Sequence, residues 1–298
     1  MANLTDLSPY IYGTTRLGDE AIPFPERVLM ARTAMNAGIW IHSSHQYGEA
    51  LSVLRTAFDE DGSRVPPGIF KLGWNTVDEV RSQVQIHTEA LDIPSLAIGQ
   101  LCPGGQLAED LRNGGDSLAG LAELKKEGLV ERFVMEVWPW TSMTAQMAIQ
   151  GGFAEGLIDG YIFYLNPLQR FVRNDLWDIL MRQKHSVIAM RTVAGGSIKA
   201  LRENDRAPKY LRQRAAEVEP LFHSSGIESW TEFSVRFALG IGQVQATVGS
   251  TAKRENFLEF QRAAKKAEEL PEEIMDAILA LHRKWSEDHD SHAEPWSM

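Results

Sequence analysis

Cysteine is nearly absent. The 298 residues hold one, Cys102, which excludes an intrachain disulfide framework and any cysteine-rich metal site. Positive charge is the scarcer sign: 30 Lys and Arg stand against 40 Asp and Glu, a net charge of −10. An acidic balance opposes phosphate backbones and anionic membranes, so no nucleic-acid and no membrane partner is expected. Long apolar runs are also missing, and none approaches the ~20 residues that span a bilayer. The opening residues lack a basic start followed by an apolar run. No secretory signal is read there, and the expected address is cytoplasmic. Neither a G-x-G-x-x-G turn after a strand nor a G-x-x-x-x-G-K-[ST] loop occurs, which removes the usual fingerprint of a doubly wound nucleotide-binding sheet.

What is present is alternation. Hydrophobic residues make up 44% and charged residues 23%, the balance of a globular chain. A chain of this length buries ~75% of its unfolded surface without staples. Short apolar or β-branched runs at 10–14, 39–42, 69–73, 96–101, 130–137, 160–165, 187–190 and 246–248 read as strands. Helical patterns follow at 25–37, 50–58, 77–90, 117–127, 142–149, 175–183, 211–239, 255–268 and 271–285. Gly38 stands where the first helix should stop. Residues 103–116 read as a Pro-Gly-Gly loop and 202–214 as a charged surface connection.

Eight strand–helix units predict a parallel (β/α)8 barrel in one domain, residues 1–286, with a polar tail at 287–298. In such a barrel the site lies at the C-terminal strand ends. These fall at 42–47, 71–74, 102–106, 137–140, 166–170, 191–196 and 249–254. Trp74, Trp138 and Trp140 sit at two of these ends, where they would line an apolar or sugar-stacking pocket. His42 and His45 come without a third ligand, so no metal is expected.

Residues 38–48 (GIWIHSSHQYG) resemble the aldo-keto reductase segment G-[IV]-x-x-[IF]-D-T-A-x-x-Y-G. Further resemblances follow in order. They are YGTTRLG ending at Gly18, 118–130 (LAGLAELKKEGLV), 161–170 (YIFYLNPLQR), 187–196 (VIAMRTVAGG) and 246–254 (ATVGSTAKR). Together they cover nearly the whole chain.

The resemblance implies an NADPH-dependent reduction of a small carbonyl compound by a Tyr, Lys, Asp and His tetrad. Tyr47 matches the tyrosine acid and Lys71 the lysine, while His42 stands at the aspartate position and Cys102 at the histidine position. An ammonium beside a phenol favours its ionised form, which suits Lys71 to activating Tyr47. A neutral His42 would accept a hydrogen bond from Lys71, and a protonated one would repel it. His45 is a candidate auxiliary polar group, and Cys102 a candidate for a thiolate activated by Lys71. For the cofactor, NADP, the resemblance implies Asn166, Gly195, Gly196, Ser250, Lys253 and Arg254. The last three would take the 2′-phosphate. The positions that hold the nicotinamide carboxamide carry Glu136, Val137 and Ile162. Two other readings stay open: a cofactor-independent lyase or isomerase, and a non-catalytic ligand-binding or regulatory protein. The sequence leaves the oligomeric state undecided.

Overall fold

The computed structural model describes residues 4–287 apart from positions 74, 195 and 267. Eight strands build the centre. They are β1 (Tyr10–Gly13), β2 (Ile41–Ser43), β3 (Gly68–Leu72), β4 (Leu96–Leu101), β5 (Val130–Glu136), β6 (Ile158–Asn166), β7 (Val187–Met190) and β8 (Val244–Ser250). Each pairs in parallel with its neighbours, and β8 pairs with β1, so the sheet closes into the expected (β/α)8 barrel. A two-residue return, Gln169–Arg170, pairs antiparallel with the end of β6.

Helices wrap the outside. In chain order they are α1 (Phe24–Asn36), α2 (Ala50–Glu60), α3 (Val77–Leu91), α4 (Gly105–Asn113), α5 (Ser117–Lys126), α6 (Ser142–Gln150) and α7 (Asn174–Arg182). Between β7 and β8 lie α8 (Ile198–Arg202), α9 (Lys209–Ser224) and α10 (Trp230–Leu239). After β8 come α11 (Arg254–Lys266) and α12 (Glu272–Ser286). Local chemistry sets several starts. Proline opens α1, and the Thr76 and Ser229 hydroxyls accept from backbone N–H groups of α3 and α10.

Two expectations are corrected. The supposed loop at 103–116 contains α4, whose Leu107, Ala108 and Leu111 are buried. The two glycines at its start masked a short apolar stripe at helical spacing. The supposed surface connection at 202–214 includes the start of α9, where Tyr210, Leu211 and Arg214 are buried.

Strand residues alternate between two cores, as the pleat requires. Tyr10, Tyr12, Phe70, Phe133, Met135 and Phe163 face outward under the helices. Ile11, Trp40, Ile69, Ile98, Val134, Ile162, Ile188 and Ala246 form a separate buried cluster that fills the lumen. Leu4 and Leu7 join that cluster. Leu4 lies against Gly160 near the start of β6, which marks the N-terminal end of the barrel. Asp6 pins this plug with two bonds from Arg132, at 2.6 and 2.9 Å.

Candidate active site

The lumen residues fix what stands above them. Side chains two positions apart share a face of a strand, so the ring of Trp40, Ile69, Ile98, Val134 and Ile162 is followed toward the C-terminal mouth by His42, Lys71, Gln100, Glu136 and Tyr164. Cys102 follows Gln100. Five strands thus bring one ammonium, one carboxylate, one imidazole, one amide, one phenol and one thiol together.

Lys71 Nζ lies 3.3 Å from Glu136 Oε1. Glu136 is 2% exposed, and its other oxygen accepts the Cys102 thiol at 2.7 Å. Burial is the largest single influence on Lys71 and disfavours its charged form, but Glu136 together with smaller contributions from Tyr47, Cys102 and Tyr164 outweighs it, and the Lys71 pKa lies above its ordinary value. The thiol moves the other way in reactivity. Burial and then the Glu136 charge push its pKa well up, so Cys102 stays protonated. The expected Lys71-activated thiolate is therefore not what this arrangement makes. His42 Nε2 lies 2.7 Å from Gln100 Oε1 and does not serve as the partner of Lys71. Burial, with the Lys71 charge added, holds the His42 pKa at about 4, so the ring is neutral. Gln100 Nε2 is buried without a hydrogen-bond partner.

Tyr47 enters from the loop after β2. Its ring centre lies 6.4 Å from that of His42. The loop is held by an unusually close backbone approach. A Cβ on Gly18 would fall 1.8 Å from the Tyr47 carbonyl oxygen, and Gly48, at φ +51°, faces the Gly18 carbonyl in return. Only glycine permits both. Burial raises the Tyr47 pKa; Lys71 opposes this, Glu136 adds to it, and a side-chain bond with Thr15 lowers it slightly. His45, two residues earlier, turns elsewhere. Its backbone N–H donates to His87 Nε2 on α3, and the two rings meet edge-on at 5.4 Å. The expected auxiliary role at the mouth is thus not supported by its orientation.

An aromatic wall rises beside β5 and β6. Trp138 and Trp140 stack at 5.1 Å, and Trp138 also meets Tyr164 and Phe171. Trp140 is 53% exposed. Arg191, held at φ +52° in the loop after β7, lies over the Tyr164 ring at 5.1 Å. Asn166 is fully buried, and its amide is committed to Gln169, the Arg191 carbonyl and the Leu168 N–H. It therefore braces the turn after β6. Gly196, at φ +128°, is exposed in the loop after β7. Ser250, Lys253 and Arg254 are exposed at the end of β8 and the start of α11. Trp74 and Gly195 lie outside the described residues.

Comparison with family models gives no match, and comparison with curated proteins gives none. Solved structures do match. Aldo-keto reductase AKR11C1 from Bacillus halodurans, in its holo form, superposes with a TM-score of 0.71 at 17% identity, covering 93% of this chain and 95% of its own. The thermostable aldo-keto reductase Tm1743, in complex with the inhibitor epalrestat, gives 0.71 at 15% identity, covering 94% and 98%. The chain has the aldo-keto reductase fold. Of the residues that the sequence resemblance matched to the tetrad, Tyr47 and Lys71 flank the mouth, His42 is bonded to Gln100, and Cys102 donates to Glu136. Of those it matched to the carboxamide clamp, Val137 points into the outer core and Ile162 plugs the lumen. Glu136 is committed to Lys71 and Cys102. Gln100 was missed from sequence although Ile98 and Gln100 share one face of β4 and Cys102 lies just beyond its end; the pairing of Glu136 with Lys71 has no local signal, because 65 residues separate them.

Proposed function

We propose that this protein is an oxidoreductase that reduces a small carbonyl compound, sugar-derived ones included, with NADPH, with Tyr47 as the proton donor. The observation that carries the reading is the placement of the Tyr47 phenol and the Lys71 ammonium at the C-terminal mouth of an aldo-keto reductase barrel. Aldehyde reduction adds a hydride to carbon and a proton to oxygen. The cofactor, when bound, supplies the hydride. The protein must supply the proton and steady the charge that grows on oxygen. A buried phenol is protonated at neutral pH, and the nearby ammonium favours its release of that proton. The same ammonium stabilises the developing alkoxide.

The residues fit the cofactor at its phosphate end. Lys253 and Arg254 are exposed and form no ion pair among the described residues, and the Ser250 oxygen accepts only the Arg16 N–H at 3.3 Å, which leaves its O–H to donate. Two cations and a hydroxyl at the start of α11 suit a phosphate monoester. Gly196 lets the backbone approach closely. At the ring end the side chains at 136, 137 and 162 are not amides, so the adenosine 2′-phosphate carries most of the recognition. Trp138 and Trp140 offer a stacking face for the substrate.

A second reading follows from that ring end: acid–base chemistry by Tyr47 and Lys71 without a cofactor, as in an isomerase or lyase. One experiment separates the two. Purified protein is assayed against a panel of aldehydes and ketoses with and without NADPH. The reductase reading expects NADPH oxidation coupled to alcohol formation, reduced 10²–10⁴-fold in Tyr47→Phe with cofactor affinity retained. Turnover that needs Tyr47 but no NADPH would move the assignment to the second reading.

A further inference from the structure

We propose that Glu136 is the positioning residue that holds Lys71 as an oriented ammonium beside Tyr47, so that the carboxylate serving this lysine comes from β5 and not from β2. The role presupposes Tyr47 as the proton donor. Lys71 is faced by Glu136 from β5, Cys102 from β4, Tyr164 from β6, His42 from β2 and Tyr47 from the loop after β2. Arg191 stands behind Tyr164. Among these groups Glu136 is the one carboxylate.

A mostly buried ammonium without a carboxylate would be strongly disfavoured. Glu136 meets the need at 3.3 Å from inside the barrel, at 2% exposure. Its second oxygen is fixed by the Cys102 thiol at 2.7 Å. The carboxylate is thus held at both ends and aims one oxygen at Lys71. His42 is built to stay out of this pair. It is neutral, 3% exposed and bonded to Gln100. An aspartate at position 42 as well as a glutamate at 136 would set two carboxylates against one ammonium. The chain instead carries a histidine at 42 and a carboxylate across the mouth. Cys102, which cannot polarise a carbonyl while its proton is donated to Glu136, gains a use as the second anchor of that carboxylate.

The test reads the charge of Lys71 in the free protein, so it does not depend on turnover. Lysines are reductively methylated with ¹³C-formaldehyde, and the Lys71 signal is assigned by its loss in Lys71→Arg. In the native protein that signal should show no midpoint up to about pH 11, above the ordinary lysine value of ~10.4. Glu136→Gln should bring the midpoint down below about pH 11, into the measured range, and Glu136→Asp should fall between. His42→Asp in the Glu136→Gln background should push it up again, because it returns a carboxylate to the lysine from β2. If Glu136→Gln does not fold, the double variant and Glu136→Asp are read against the native protein in the same way. A Lys71 midpoint that Glu136→Gln leaves unchanged overturns the proposal, as does one that the double variant fails to raise. Loss of reductase activity in every assay, with the Lys71 midpoint shifting as described, would overturn the reductase reading and leave the ion pair standing.

Discussion

Tyr47 is a weak acid whose strength depends on two neighbours of opposite sign. Burial and Glu136 keep the phenol protonated, and Lys71 draws the proton toward release. Lys253 and Arg254 act at the other end of the proposed cofactor site. Both are exposed, so alanine there should leave the fold intact. Each substitution should weaken NADPH binding about tenfold, the worth of one charge-assisted bond of ~1.5 kcal/mol, and leave NADH binding unchanged. Titration of each variant with both nucleotides checks this; equal losses for the two would remove the phosphate assignment. Tyr47 was legible because it falls within the family-like segment 38–48, just beyond β2, and Lys71 because it lies near the C-terminal end of β3, where a barrel carries its site. Glu136 was legible as a residue but not as a partner, since the carboxamide position and the Lys71 contact are the same place seen from β5 and from β3. His45 lies beyond the end of β2, where strand alternation no longer tells which way a side chain points, and its ring meets that of His87.

At the scale of elements, the loop that carries Tyr47 is seated by Gly18 against Gly48. Gly18→Ala would put a methyl group into the Tyr47 carbonyl, at a distance no real contact shows. The loop must then move. The expected result is a large fall in kcat, because a displacement of ~1 Å at a reacting group costs on the order of 10²-fold. The far-ultraviolet dichroism of the barrel should be unchanged. Full activity in Gly18→Ala would show that the Tyr47 loop does not need this seat. The strands were readable throughout, since each carries a run of apolar residues between turns. The helix α4 was not, because Pro103, Gly104 and Gly105 resemble a loop while Leu107 and Leu111 carry only a short stripe. Such a stripe becomes visible once the barrel is known to need cover between β4 and β5.

For the whole molecule, stability should depend on pH through buried neutral histidines. His42 and His87 both titrate at about 4 when folded, against 6.5 in the free side chain, chiefly because burial disfavours their charged forms. In the unfolded chain they take up protons as pH falls below 6.5. Their stabilising contribution is therefore complete above pH 6.5 and is lost as pH falls toward 4, by roughly 3 kcal/mol for each. The urea midpoint should drop steeply across that window, and His42→Gln should flatten the drop. A midpoint independent of pH between 6.5 and 4.5 would contradict the burial of these rings. The barrel also keeps its helices on the outside and among its described residues has none long and apolar enough to cross a membrane. The most direct test of the functional reading is a titration of the native protein with NADPH and, separately, NADH, followed by tryptophan fluorescence, since Trp138 and Trp140 stand at the mouth. Micromolar affinity for NADPH with much weaker binding of NADH is the expected result. No binding of either at millimolar concentration would contradict the reductase assignment.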